Sequence, residues 1–145
     1  MTMPRRNFDM REIRDDPDRD VCDFCLSPNV RWTFPCRDFT THDDLSIVSQ
    51  QSDGSLSVDT EHIEYNAYGD WAACPACHAL IVRGDRERLA VRSVKHAFRR
   101  HPEVAKVFVF EDYLAHVRMR QDKFWANRLG KPIPADHPLT ERGER

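Results

Sequence analysis

The chain has 145 residues, of which 40% are hydrophobic and 32% charged, with a formal net charge of -2 and five cysteines. That is room for one domain with flanking segments and excludes two independent cores. No apolar run approaches the roughly 20 residues needed to cross a bilayer, and residues 1–20 lack the apolar stretch of a secretion signal, so a cytoplasmic protein is expected. In a reducing compartment, five cysteines point to metal or redox chemistry rather than to a disulfide framework.

Residues 1–20 alternate Arg and Asp around few apolar groups and read as a disordered charged leader. The folded region is expected to begin at Val21-Cys22. Val30-Arg31-Trp32-Thr33-Phe34, stopped by Pro35, suits a short strand. Leu45-Ser46-Ile47-Val48-Ser49 and Ser55-Leu56-Ser57-Val58 flank an Asp53-Gly54 pair, which predicts a β-hairpin. Its Asp/Ser-rich surroundings fit a mobile excursion equally well, and removal of residues 43–60 is expected to spare metal binding. His62 to Tyr68 reads as one more strand. From Ala76 the pattern turns helical: a short helix to Arg83, a break at Gly84, and a second helix capped by Asp85 and running to about Arg100. Pro102 suits the first turn of a third helix reaching roughly Arg128. Gly130-Lys131-Pro132 ends it, and residues 131–145 read as an exposed tail.

Cys22-Asp23-Phe24-Cys25 and Cys74-Pro75-Ala76-Cys77 are two Cys-x-x-Cys knuckles. A two-residue spacer lets a tight turn aim both sulfurs at one ion. Two such turns supply four thiolates at tetrahedral corners, with no position left for water or substrate. The pattern predicts one structural zinc ion held by Cys22, Cys25, Cys74 and Cys77. The 48 residues between Cys25 and Cys74 exceed the roughly 15–20 of compact zinc modules. Such an insertion is tolerable because loop-closure entropy grows only logarithmically with length. Cys36 reads as a small buried hydrophobe and His78 as a surface residue or a neighbour of the ligands. Trp32, Phe34 and Trp71 read as the hydrophobic shell of the metal.

His78-Ala79-Leu80-Ile81 after Cys77 places the second knuckle in the first turn of a helix, whose dipole favours a thiolate. This order of knuckle, hairpin and helix resembles a treble-clef zinc finger. Gly69-Asp70-Trp71-Ala72-Ala73-Cys74, Cys77 to Ile81, Gly84-Asp85 and Leu89-Ala90-Val91-Arg92 are similar to small uncharacterised bacterial proteins of treble-clef or zinc-ribbon-like type. The resemblance covers about residues 21–95 and implies no activity. The expected fold is α+β: a treble-clef-like zinc finger with an inserted β-hairpin, followed by two or three C-terminal helices. The expected single domain spans residues 21–130, with a zinc module at 21–83 and a helical part at 84–130.

Charge is uneven along the chain. Residues 1–70 carry 7 basic and 15 acidic groups, and residues 71–145 carry 15 basic and 9 acidic groups. On the second helix Arg88, Arg92, Lys95 and Arg99 fall in one stripe, opposite the apolar face of Ala90, Val91, Val94, Ala97 and Phe98. Such a stripe suits phosphates, since each one neutralised releases counterions. It suits a solvated helix face equally well.

Val107, Phe110, Leu114, Val117, Gln121 and Phe124 form a seam to be buried, although Val107-Phe108-Val109-Phe110 also fits a strand. The chain carries no Gly-rich phosphate loop, nucleophile elbow or His-Glu-x-x-His pair. Its seven histidines are scattered in sequence. His62-Ile63-Glu64 ahead of Cys74-Pro75-Ala76-Cys77 partly matches a zinc deaminase, but nine residues are too few for the intervening strand and helix. The expectation is therefore a non-enzymatic zinc module that binds nucleic acid or a nucleic-acid-containing complex of transcription or the ribosome. A protein–protein adaptor is the alternative.

Overall fold

The computed structural model describes residues 21–135. The charged leader and residues 136–145 lie outside the described residues. The elements in chain order are β1 (Trp32–Phe34), β2 (Phe39–Gln50), β3 (Leu56–Ala67), β4 (Trp71–Ala73), α1 (Pro75–Arg83), α2 (Arg86–Arg100), α3 (Pro102–Val107), α4 (Phe110–Asn127) and β5 (Ile133–Pro134). The fold is α+β with two small antiparallel sheets, one in the order β4-β1-β5 and the other the β2–β3 hairpin.

The hairpin is much longer than its turn signal alone implies. Strands of 12 residues each pair from Phe39↔Ala67 to Gln50↔Leu56, and the stretch from His62 is simply the second half of β3. Gly54 takes a φ of 87° in the connecting loop, a conformation that costs glycine little. The hairpin is not a detachable excursion. Alternation turns Thr41, Asp43, Leu45 and Ile63 towards the helices, and Leu45 and Ile63 are buried in a core with Ala90, Val94, Val104, Phe108, Tyr113, Leu114 and Val117. Removal of residues 43–60 takes Leu45 out of that core and is therefore expected to unfold it, the reverse of the expectation from sequence.

The helices follow their punctuation. Gly84, at φ 71°, closes α1 with backbone bonds from its own N–H to Ile81 O and from Asp85 N–H to Leu80 O. Asp85 caps α2 by accepting from Arg88 N–H at 3.2 Å. The long third helix expected from residue 102 is instead two. Phe108 and Val109 are extended, Phe108 bridges to Ile47 of the hairpin, and α4 starts afresh at Phe110. The bulky, β-branched run is better satisfied by burying Phe108 against a strand than by continuing a helix.

The segment after α4 corrects the expectation of a tail beginning at residue 131. Thr33 pairs with Ile133 and Trp32 with Pro134 on the free edge of β1. Ala135 N–H donates to Arg31 O at 2.9 Å and Leu129 N–H to Pro35 O at 2.9 Å. Covering that edge removes an unpaired strand face.

α4 ties the hairpin to the rest through a buried polar pair. His116 is fully buried, and its Nδ1 lies 3.1 Å from Asp43 Oδ2. Burial, helped by the Arg120 charge, pulls His116 down to about 4, against an opposing pull from Asp43. Its folded value thus lies below the ordinary ~6.5, so protonation favours the unfolded chain. The stability tied to neutral His116 is complete above about pH 6.5 and is lost as the pH falls towards 4. Its size is on the order of 3 kcal/mol from the linkage relation. Denaturant titrations at pH 7.5 and 5 should show the parent losing more stability than His116→Gln over that interval. Equal losses would remove His116 as the source.

Candidate metal centre

The two knuckles meet because β1 and β4 pair. The register Trp32↔Ala73, Thr33↔Ala72 and Phe34↔Trp71 brings the segment after Cys25 alongside the segment before Cys74, with the whole β2–β3 hairpin looped out between them. Asp23 reinforces the junction: its N–H donates to Ala72 O at 2.8 Å, and its carboxylate accepts from Ala72 N–H at 2.6 Å. Arg31 N–H donates to Ala73 O at 3.0 Å.

The first knuckle is a tight turn, with Leu26 N–H donating to Cys22 O at 2.9 Å and Cys22 N–H to Ser27 O at 2.7 Å. Leu26 sits at φ 67°, where glycine is the usual occupant. The second knuckle is the start of α1. Cys74 is the N-cap, Pro75 follows in the first turn, and Cys77 lies one turn in. Proline costs nothing there, since the N–H it lacks would have no helical partner. In both knuckles the backbone N–H of the second cysteine points at the first sulfur: Cys25 N–H at Cys22 Sγ and Cys77 N–H at Cys74 Sγ, each at 3.5 Å.

All four thiols are buried, and their sulfurs lie within 4.8 Å of one another. The Cys25 and Cys74 sulfurs are 3.6 Å apart. A tetrahedral ion with bonds of ~2.3 Å to sulfur needs edges of about 3.8 Å, so the cage fits a metal ion. A disulfide requires ~2.05 Å, and all five cysteines are free thiols. Burial pushes the Cys22 thiol well above its ordinary value, whereas hydrogen bonds from Cys22, Cys25 and Cys77 hold Cys74 well below its own. Four such groups share negative charge reluctantly. A divalent cation at their centre would let all of them ionise.

Cys36 is buried but stands apart from the cage. Its sulfur lies 4.0 Å from Phe124 O, and burial pushes it up to about 11, as suits an inert core thiol. His78 stacks on Trp32 with ring centroids 4.1 Å apart and planes 8° from parallel. Phe24, Phe34, Trp71, Ile81, Leu89 and Phe124 pack around the four cysteines in one core. Leu89 and Phe124 come from α2 and α4, so the helices complete the metal module's interior.

The basic stripe is redistributed. Arg92, read from sequence as part of a surface row, is half-buried and turns to the cage. Its Nη2 lies 3.9 Å from Cys74 Sγ and 4.0 Å from Cys25 Sγ. Its Nη1 donates to His96 Nε2 at 3.2 Å, and burial, with Arg92 next, keeps His96 below its ordinary value. A neutral imidazole can accept that bond; an imidazolium cannot. Arg88 pairs with Asp85 at 3.5 Å, while Lys95 and Arg99 remain exposed. Arg92 thus supplies one positive charge beside the four sulfurs. Sequence periodicity missed this role, because a helical wheel shows the direction of a side chain but not what another segment places there.

Comparison with protein-family models, curated proteins and solved structures finds no match to this chain. What the structure shows of a zinc-finger-like site is the cluster of four cysteines within metal-binding distance.

Two outcomes follow from the cage. Cys74→Ser should lose the metal and the fold together, whereas Cys36→Ser should keep the metal content of the parent, as elemental analysis and circular dichroism would show. Arg92→Gln should remain folded yet release its metal to a chelator more readily, with affinity lower by about 10- to 100-fold, the usual effect of removing a group that supports metal ligands. Unchanged release kinetics would make Arg92 a bystander.

Proposed function

We propose that this chain is a non-enzymatic, zinc-stabilised binding module of the cytoplasm, and that its partner is nucleic acid or a nucleic-acid-containing complex. The observation that carries the metal half is the closure of the cage: four buried sulfurs, each supplied by the protein, leave no coordination position for a substrate. Zinc is the ion best matched to a tetrahedral four-sulfur donor set in a protein without other redox machinery. The chain order of knuckle, β1–β4 pair and cysteine-capped α1 supports the treble-clef reading, with the β2–β3 hairpin as the insertion.

The partner half rests on the exposed cations of α2. Lys95, Arg99 and Arg100 lie on the part of the helix turned from the core. With Arg92 committed to the cysteines and Arg88 to Asp85, the patch is smaller than the sequence implies, which suits a contact within a larger ribonucleoprotein better than autonomous tight binding. A protein adaptor is the second reading, favoured by a specific feature. The far end of the hairpin exposes Leu56 at 69% and Val58 at 64%. Apolar side chains exposed near the turn of a hairpin are a suitable anchor for a protein surface.

Fluorescence anisotropy with labelled RNA and duplex DNA across a salt series separates these readings. Binding through the patch should weaken with a log–log slope of about -0.7 to -0.9 per phosphate contacted. Lys95→Gln with Arg99→Gln should flatten that slope by one to two contacts' worth. Metal content should be unchanged, with stability altered by less than ~0.5 kcal/mol, as for most exposed sites. If the double variant binds its partners as the parent does, and those partners survive nuclease but are lost with Leu56→Ser and Val58→Ser, the adaptor reading replaces the first.

A further inference from the structure

The outer face of the β2–β3 hairpin carries a second cluster of metal-ligating side chains, independent of the cysteines. The antiparallel register sets His42 opposite Glu64 and Asp44 opposite His62. Strand alternation puts all four on the face turned away from Leu45 and Ile63. The two histidines are diagonal neighbours across the strands, within reach of one another for side chains of that length. His42 Nδ1 lies 3.1 Å from His62 Nε2. The remaining nitrogen of each ring faces a carboxylate: His62 Nδ1 is 3.0 Å from Asp44 Oδ1, and His42 Nε2 is 3.8 Å from Glu64 Oε1. The ring planes differ by 20° and the centroids are 5.3 Å apart, so the imidazoles lie end to end and nearly coplanar.

A neutral imidazole has one N–H and one lone pair. His62 Nδ1 donates to Asp44, which turns the lone pair of its Nε2 towards His42. At 3.8 Å Glu64 is beyond hydrogen-bond reach of His42, so in the metal-free chain His42 Nδ1–H can donate to that lone pair. With the His42 proton moved to Nε2, its Nδ1 lone pair joins that of His62 Nε2, and the two can be offered to one metal ion. A carboxylate holding the far N–H is the usual means of orienting a metal-bound histidine. With metal–nitrogen bonds of ~2.0–2.1 Å, two nitrogens 3.1 Å apart subtend about 95–100° at a common ion, between the square-planar and tetrahedral angles. The side chains of His42 and His62 are 56% and 43% exposed. Both rings are thus free to turn their lone pairs off the shared axis towards one ion without disturbing the core.

We propose that His42 and His62 form a surface site for one divalent transition-metal ion, of the Ni²⁺, Cu²⁺ or Zn²⁺ class, with Asp44 as the residue that orients the His62 ring and the Glu64 carboxylate beside His42. Nothing in this site depends on which ion the cysteines hold. Imidazole ligands select these ions over Mg²⁺ or Ca²⁺, and the two carboxylates offset the positive charge that the ion brings.

The test is a Ni²⁺ titration of the full-length, isotopically labelled chain followed by residue-resolved NMR. Paramagnetic broadening should begin at residues 42, 44, 62 and 64 and saturate at one ion per chain there. Any exchange at the cysteines would be read separately, at residues near Cys22 and Cys74. His62→Gln and His42→Gln should each raise the dissociation constant tenfold or more with the melting temperature unchanged. Asp44→Asn should weaken binding by about 10- to 100-fold, the range typical of residues that hold a metal-bound histidine. Mg²⁺ should cause no comparable shift. Absence of saturable broadening at these residues, or broadening that persists in His62→Gln, would overturn the proposal and leave a hydrogen-bonded imidazole pair.

Discussion

Pairing of β1 with β4 is the contact on which the rest of the structure depends. Each of the two knuckles is locally competent, since a tight turn or a helix cap forms within a few residues. Their meeting across 48 intervening residues is decided by three rungs of antiparallel ladder and by the Asp23 clamp on Ala72. Once they meet, four sulfurs are enclosed in a space suited to a tetrahedral cation. Structural zinc sites in small domains supply on the order of 10 kcal/mol or more of folding free energy. The β2–β3 ladder, which pairs Phe39 with Ala67, closes most of the intervening chain, and a metal ion in the cage would reinforce the short sheet.

The charge of that cage organises what lies next to it. Four thiolates around a divalent ion would carry a net charge of -2, and the protein places one arginine beside them. Arg92 reaches Cys25 and Cys74 because α2 packs Leu89 into the same core as the cysteines, and His96 braces its guanidinium from one turn further on. The arginine joins the two knuckles from outside, since its two sulfur contacts come from different ones. Its planar fork is well suited to bridging two acceptors, which a lysine at the same place would do less well.

α4, like α2 with Leu89 in one core and Ala90 and Val94 in the other, spans both cores. Phe124 near its end packs with the cysteines, while Tyr113, Leu114 and Val117 near its start pack with Leu45 and Ile63 of the hairpin. Polar groups fill the seam between them. Gln121 Nε2 donates to Ser93 Oγ at 2.8 Å, Arg120 lies over the Tyr65 ring at 4.5 Å, and His116 meets Asp43. The Arg120–Tyr65 and His116–Asp43 contacts fix the register of the hairpin against α4, and Gln121–Ser93 that of α2 against α4, more narrowly than apolar packing would. The inner face of the hairpin is thereby committed to the fold. Its outer face is left to the two histidines and its far end to Leu56 and Val58.

What the sequence determined by itself was local. The Cys-x-x-Cys spacing specified the four cysteines that come together, Gly84 and Asp85 the break and cap between α1 and α2, Pro102 the start of α3, and Asp53-Gly54 the turn of the hairpin. Each acts through backbone geometry within a few residues, so each is readable from one dimension. The long-range outcomes had no such signature. Phe108 left the helix because Ile47 offered it a strand edge. Ile133 and Pro134 became a strand because β1 had an edge to cover. Arg92 left its surface row because the cysteines stood on that side. His42 and His62, 20 residues apart, met because the register about the Asp53-Gly54 turn aligns residue 42 with 64 and 44 with 62. That register was latent in the turn, but only the full 12-residue pairing, set by burial of Leu45 and Ile63 against the helices, carried it far enough to bring the imidazoles together.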